Sequence, residues 1–213
     1  TDPGQTWRRK KTKKFLPLAC LLSLGLLLGC GSSPPNNFYV LSAHEFPAPS
    51  GTAPALGIGP INIPEYLGRQ NMVYNRVDNT LQVASLDMWA EPLGAGIQRV
   101  LVLNLTGLLN TQDVSTFPWR PERAPEFGVE VNLLQLDANE HGALLTAEWL
   151  VYRPGSATAG NRRISRLQLP LPPGAPEPQQ VAAAYSTLLF QLSEIIAAAI
   201  TSERSAGSAT AAP

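Results

Sequence analysis

Cys30 divides the chain, and that division constrains the fold more than any other residue. It closes the run Leu27-Leu28-Gly29-Cys30, behind an apolar stretch and a basic start. Six cations, Arg8, Arg9, Lys10, Lys11, Lys13 and Lys14, precede an apolar run of 14 residues, 15–28. Such a run is too short to span a bilayer as a helix and suits the h-region of an export signal. Gly29 is the small residue that a lipoprotein-specific peptidase needs before its cysteine. Residues 1–29 therefore read as a lipoprotein signal peptide, cleaved after Gly29, with Cys30 then acylated by palmitate-type chains. The competing readings are an ordinary secretory signal with an incidental cysteine, and an uncleaved anchor. Each buried methylene stabilises membrane association by about 0.8 kcal/mol; one chain is marginal, and several hold firmly. Gly31 stands where an Asp would mark retention at the inner membrane, which points to the outer membrane and a folded part facing the periplasm.

Cleavage changes the charge balance. The mature chain keeps ten arginines, no lysine and fifteen acids, a net charge of about −5. An acidic surface repels phosphate backbones, so nucleic acid is not an expected partner. It is also repelled by anionic headgroups, which leaves membrane attachment to the lipid anchor. The other cysteine, Cys20, leaves with the signal, and Cys30 is consumed by acylation, so no internal disulfide is expected. Stability has to come from a packed core, and 184 mature residues suffice for one domain.

Residues 31–37 read as a short tether. Phe38, Tyr39, Val40 and Leu41 then have the aromatic and β-branched make-up of a strand. If that strand belongs to the domain, about 25 Å of extended chain separates it from the anchor; the alternative makes all of residues 31–54 linker. Residues 56–63 read as a strand ended by Pro64. Residues 72–77 and 81–85 flank Asp78-Asn79, a hairpin signal. Residues 92–109 carry Leu93, Ile97, Val100, Leu101, Leu105 and Leu108 at helical steps, with Pro92 at the first turn. Phe127, Val129, Val131 and Leu133 alternate with polar neighbours, and the phase slips at Leu133-Leu134, which suggests a bulge or a strand buried on both faces. The turn 139–142, the alternation of Leu145, Ala147, Trp149 and Val151, and the run 164–169 complete an antiparallel meander. Residues 179–203 form the strongest helical pattern, with a seam of Val181, Tyr185, Leu188, Leu189, Leu192, Ile195, Ile196, Ala199 and Ile200. The width of that face suits packing on the chain's own sheet; the other reading is a coiled-coil or partner-helix contact. The organisation is thus 1–29 signal, 30–55 lipidated cysteine, tether and first short strand, 56–203 domain and 204–213 disordered tail. The fold class is α/β, with α+β as its neighbour: a single domain whose mixed β-sheet carries two main helices.

Enzyme signals are weak. His44 and His141 fall in loops, without ligand partners at metal-binding spacing. Neither a Gly-x-Ser-x-Gly elbow nor a phosphate loop occurs. Gly94-Ala95-Gly96 lies inside a helical pattern and suits close packing of that helix. Asp87 and Glu91 beside Trp89 suit helix capping and the helix dipole better than an acid pair. Catalytic, metal and cofactor-binding residues are therefore expected to be none.

Three segments carry a resemblance. They are Phe38-Tyr39-Val40-Leu41; the stretch Gly57-Ile58-Gly59-Pro60-Ile61-Asn62-Ile63-Pro64-Glu65-Tyr66-Leu67-Gly68-Arg69; and Trp89-Ala90-Glu91-Pro92-Leu93 with Arg99-Val100-Leu101 and Asn104-Leu105 behind it. Together they resemble the PqiC/YmbA-type lipoproteins, the ABC-type transport auxiliary lipoprotein component associated with MCE systems. The likeness runs from Cys30 to about Glu203. It departs at Gly68, where an Asp is common, and at Met88, where a basic residue often precedes the Trp. The resemblance implies a structural, partner-docking lipoprotein of the outer membrane. Its partners would be an MCE-domain protein and inner-membrane transport components, in an intermembrane lipid transport system. A homo-oligomeric ring would match a cyclic channel. The alternative is a periplasmic lipoprotein that itself binds a lipid or other hydrophobic ligand. Tyr66, Leu67 and Arg69, past the strand-ending Pro64, are the candidate partner contact, since Tyr and Arg often dominate interface energetics. Satellite packing of the same residues is the competing reading. Trp89 is expected to be largely buried.

Overall fold

Helix periodicity and strand alternation place one apolar face on each main element, and the fold buries those faces against one another. The computed structural model describes residues 34–75, 79–156 and 160–210. Cys30 and the signal, Asp78 of the hairpin turn, and residues 211–213 lie outside the described residues. In chain order the elements are β1 (Asn37–Tyr39), β2 (Leu56–Asn62), a 3-10 turn (Glu65–Leu67), β3 (Asn71–Asn75), β4 (Leu81–Trp89) and α1 (Leu93–Leu108). They continue with β5 (Val114–Thr116), a second 3-10 turn (Pro121–Arg123), β6 (Phe127–Asn139), β7 (Gly142–Tyr152), β8 (Arg162–Leu169) and α2 (Pro178–Thr210).

The strands form two sheets rather than the single one expected. The smaller has the order β1-β4-β3 and the larger β5-β2-β6-β7-β8, both mixed. In the smaller, β1 runs parallel to β4, while β3 and β4 are the antiparallel hairpin that the sequence announces. Asn79 holds a positive φ of 62° in its turn, a conformation asparagine tolerates better than most residues. In the larger sheet, β2 lies parallel to both β5 and β6, and β6, β7 and β8 are the expected meander. The phase slip is a bulge: Leu133 opposes Ala147 and Gln135 opposes Thr146, so Leu134 has no opposite number and is 47% exposed. Gly142 turns the chain from β6 into β7 with φ +130°, and the space of its missing Cβ is taken by the backbone of Leu169.

Both helices pack against each other and on the larger sheet, α1 against β2 and α2 chiefly against β7 and β8. On α1 the buried stripe is Leu93, Gly96, Ile97, Val100, Leu101, Asn104 and Leu105. On the sheet, Ala143, Leu145, Ala147, Trp149 and Val151 alternate inward along β7, under α2. The α2 seam is buried from Val181 to Ile200 apart from Ile195, which sits on its flank and is 38% exposed. By length and composition α2 could cross a membrane, yet 56% of its apolar window is buried inside the fold. It is the core helix of its own domain, not a free partner helix. It also runs past Glu203 to Thr210, so residues 204–210 are helical rather than a disordered tail. Ala and Ser favour or tolerate a helix there, and the Ser205 hydroxyl donates back to the carbonyl of Thr201.

Residues 40–55 contain neither helix nor extended strand, and they are not a linker. Leu41 is 2% exposed. The Ser42 amide donates to Ser186 Oγ of α2 at 3.0 Å, and the His44 amide to Asn104 Oδ1 of α1 at 2.9 Å. Asn104 is fully buried, and its Nδ2 donates to Ser193 Oγ at 3.3 Å. The Phe46 ring occupies the space a Cβ on Gly107 would need, which is why α1 carries a glycine there. This segment is a strap across both helices, and the folded part begins with β1, well before residue 56.

Candidate docking surface

The loop after β2 is built by Pro64. With φ −55° it ends the strand and caps the single 3-10 turn Glu65–Leu67, in which the Leu67 amide donates to the Pro64 carbonyl at 2.9 Å. The turn sends its three candidate contact residues to different places. Leu67 is only 3% exposed and is spent on the core, so it is not available to a partner. Arg69 is exposed and makes no ion pair among the described residues. Tyr66 is half-buried; its hydroxyl donates to Asp137 Oδ1 at 3.2 Å. Gln135 Nε2 donates to the other oxygen of Asp137 at 2.6 Å, and Asp137 is 5% exposed.

This arrangement raises the Tyr66 pKa from 10.0 to about 12, first because burial penalises the phenolate and then because Asp137 is negative. The folded state thus holds that proton more tightly than the unfolded chain. The associated stability is fully present below pH 10 and is lost as pH rises towards 12. Phenolate absorbance should show one tyrosine titrating near pH 12, and Tyr66→Phe should remove it. An unchanged alkaline titration in Tyr66→Phe would contradict this coupling.

Tyr66 forms one wall of an open hollow of 410 Å³, with Asn79, Leu81, Leu134, Gln135, Asp137 and Thr146 around it. The β6 bulge puts Leu134 there, and the β3–β4 hairpin supplies Leu81, itself 47% exposed. A second hollow shares Gln135 and Asp137 and continues to His141, Arg166 and Gln168. Amide, hydroxyl and leucine side chains on an open sheet face are the chemistry of a protein contact more than of a reaction. Sequence reasoning found the bulge, but not Asp137 or Gln135: one polar residue in a strand gives no sign of a tyrosine from another segment closing over it.

The residues around α1 take roles partly different from those expected. Trp89 ends β4, is 4% exposed and stacks on Tyr185 of α2 with ring centroids 6.2 Å apart. Asp87 and Glu91 do not cap the helix, whose N-cap residue is Pro92 with no side-chain bond. Asp87 instead accepts from Asn37 Nδ2 at 2.9 Å and from the Tyr39 hydroxyl at 3.1 Å, which ties β1 to β4. Glu91 accepts from Arg99, whose guanidinium also reaches the Leu41 carbonyl at 2.8 Å. Both acids are engaged by neighbours in the fold and are not set up as an acid–base pair. Of the two glycines early in α1, Gly94 has room for a Cβ, which would lie 3.7 Å from Ile63, an ordinary contact; only Gly96 is close, with a Cβ 3.1 Å from the Glu91 side chain. His44 stacks on Phe190 at 4.3 Å, and His141 sits in the β6–β7 turn. No group of three or more His, Cys, Asp or Glu among the described residues is placed to hold a metal ion.

Residues 39–197 match the family model of the ABC-type transport auxiliary lipoprotein component. Over 148 residues, 67% of this chain and 77% of the relative, the sequence is 26% identical to the intermembrane transport lipoprotein PqiC of Escherichia coli strain K12. The same figures hold for PqiC of Shigella flexneri. Among solved structures, a protein from Xanthomonas campestris superposes with a TM-score of 0.64 at 13% identity, covering 80% of this chain and 99% of that one. An uncharacterised protein gives a TM-score of 0.62 at 19% identity, with 78% and 99% covered. These two likenesses show the fold.

Proposed function

The chain belongs to the ABC-type transport auxiliary lipoprotein components, and from that membership we propose that it is an outer-membrane lipoprotein docking an MCE-domain protein in an intermembrane lipid transport system. The observation that carries the reading is the family match across residues 39–197, joined by the likeness to an intermembrane transport lipoprotein over 148 residues. Acylated Cys30 holds the protein at the membrane. Inner-membrane transport components complete the machine, and a ring of copies would present repeated contacts to a cyclic channel. The family is one of transport auxiliaries, not of enzymes.

Tyr66 and Arg69 are the proposed contact. Tyr66 is pre-oriented by Asp137, and Arg69 is exposed beside it. An aromatic fixed by a hydrogen bond loses little entropy on binding, which favours it as an anchor. A Tyr66→Ala, Arg69→Ala double variant should keep its fold and lose at least about tenfold in affinity for the MCE partner or in assembly. Thermal melting and native mass measurement check the two separately. Normal assembly of a normally folded double variant would remove this loop from the interface. Failure of the wild-type protein to bind any MCE protein encoded beside it would remove the docking role itself.

The carrier reading has one observation in its favour. An open groove of 540 Å³ lies between the strap and α2, lined by Val40, Ala43, Ala182, Ala183, Phe190 and their neighbours. Lipid retained by the purified monomer, seen as added mass under native conditions, would support that reading over docking.

A further inference from the structure

Among the described residues the larger sheet ends at β8, which has β7 as its sole strand neighbour. The other free edges are poor templates for an added strand. β5 and β1 are three residues long, and β3 carries a register shift between Asn71 and Val73. β8 is eight residues long and pairs with β7 without a shift. A long regular edge offers a row of backbone donors and acceptors to another chain.

The side chains of β8 indicate which chain. Its sequence is Arg162-Arg163-Ile164-Ser165-Arg166-Leu167-Gln168-Leu169, with three of the ten arginines of an otherwise acidic mature protein. Leu167 and Leu169 pack on the core. Arg162, Ile164 and Arg166 alternate onto the opposite, uncovered face. Ile164 is 66% exposed, the most of any large apolar side chain among the described residues. Arg162 is taken up by Glu148 at 2.8 Å and Glu130 at 3.4 Å. Arg163 lies over the Trp149 ring at 5.2 Å. Arg166 is exposed and makes no ion pair among the described residues. Asp137, which lines the same hollow as Arg166, has both carboxylate oxygens engaged by Tyr66 and Gln135 and makes no ion pair with Arg166.

We infer that β8 is a strand-addition site for an extended, acidic segment of a partner protein, one that sets a carboxylate opposite Arg166 and an apolar residue opposite Ile164. Opposite charges across a ladder attract and like charges repel. A second copy of this chain pairing edge to edge through β8 would bring two arginine-rich strands together, so the occupant is a different protein. Backbone bonds supply the affinity, and alternate side chains supply the selection. The inference rests on the docking reading only in supposing a protein partner; it uses a surface other than the Tyr66 loop.

The test uses the full mature lipoprotein in detergent and a fluorescein-labelled peptide, Thr-Asp-Thr-Val-Thr-Asp-Thr. Its control has lysine in place of both aspartates. The acidic peptide should bind, should slow amide exchange within residues 162–169, and should weaken with added salt. Arg166→Glu should lower its affinity at least about tenfold, while Arg166→Lys should stay within about threefold of wild type. Equal binding of the lysine peptide, unchanged exchange in β8, or dimers through β8 without peptide would each overturn the proposal. Because no MCE partner is needed, failure here is distinct from failure of the docking reading.

Discussion

Trp89→Ala should destabilise the protein by about 3–5 kcal/mol, the range for deleting a large buried aromatic. Trp89 is 4% exposed and stands where the smaller sheet meets α2. Its amide donates to the Gln70 carbonyl at 2.7 Å, and its position pairs with Tyr39 of β1. Truncation would leave Tyr185 without its stacking partner and open a void between two layers that cannot collapse onto each other. For a chain of this size the loss corresponds to a fall in Tm of roughly 6–20 °C. Urea unfolding should show a lower midpoint at unchanged slope. Trp89→Phe, which keeps a ring in the gap, should recover part of the loss. A Trp89→Ala protein with the wild-type midpoint but no partner binding would instead make Trp89 a docking residue, against its burial.

The largest effect on function is expected at Cys30, which follows from the proposed lipidation. Cys30→Ser removes the thiol that acylation requires, and a serine hydroxyl at that position is no substitute. With one chain marginal and several needed, loss of acylation is all or nothing for membrane attachment. The serine variant should accumulate uncleaved or mislocalised, and transport should cease. Labelled palmitate should enter the wild type and not the variant. A serine variant still processed and still fractionating with the outer membrane would refute the lipoprotein assignment.

The long-period signals were legible in the sequence and the cross-chain ones were not. Apolar residues at steps of three and four marked α1 and α2, because a helix repeats its buried face over many residues. The slip at Leu133-Leu134 marked the bulge, because alternation has a phase that one extra residue breaks. The division into two sheets left no such mark: β1 joins β4 across 50 residues of sequence through Asn37 and Asp87, and nothing local encodes that partner. The strap was hidden for a related reason. Pro47, Pro49, Pro54 and Ser50 look like linker composition, yet the anchoring groups are Asn104 and Ser186 on the helices and Asn110 in the turn after α1. Of the contact residues, Tyr66 and Arg69 stayed at the surface. Leu67 went inward because a 3-10 turn points successive side chains about a third of a revolution apart. The acids near α1 were misread as caps because Glu91 reaches forward to Arg99, eight residues on, beyond the span of a capping motif.

The strap across the helices also sets an order in time. Its Ser42 amide is bound by Ser186, a separation of 144 residues, and Trp89 stacks on Tyr185 of the same helix. The segment made early in synthesis is therefore completed by the last helix to be made. Until α2 emerges, the inward face of β7 lacks the helix that covers it, and the strap lacks its contact with Ser186, though those with Asn104 and Asn110 can already form. The fold is complete only once this last helix is in place. The strap and the final helix are thus two halves of one closure, and loosening either end of the domain should loosen the other.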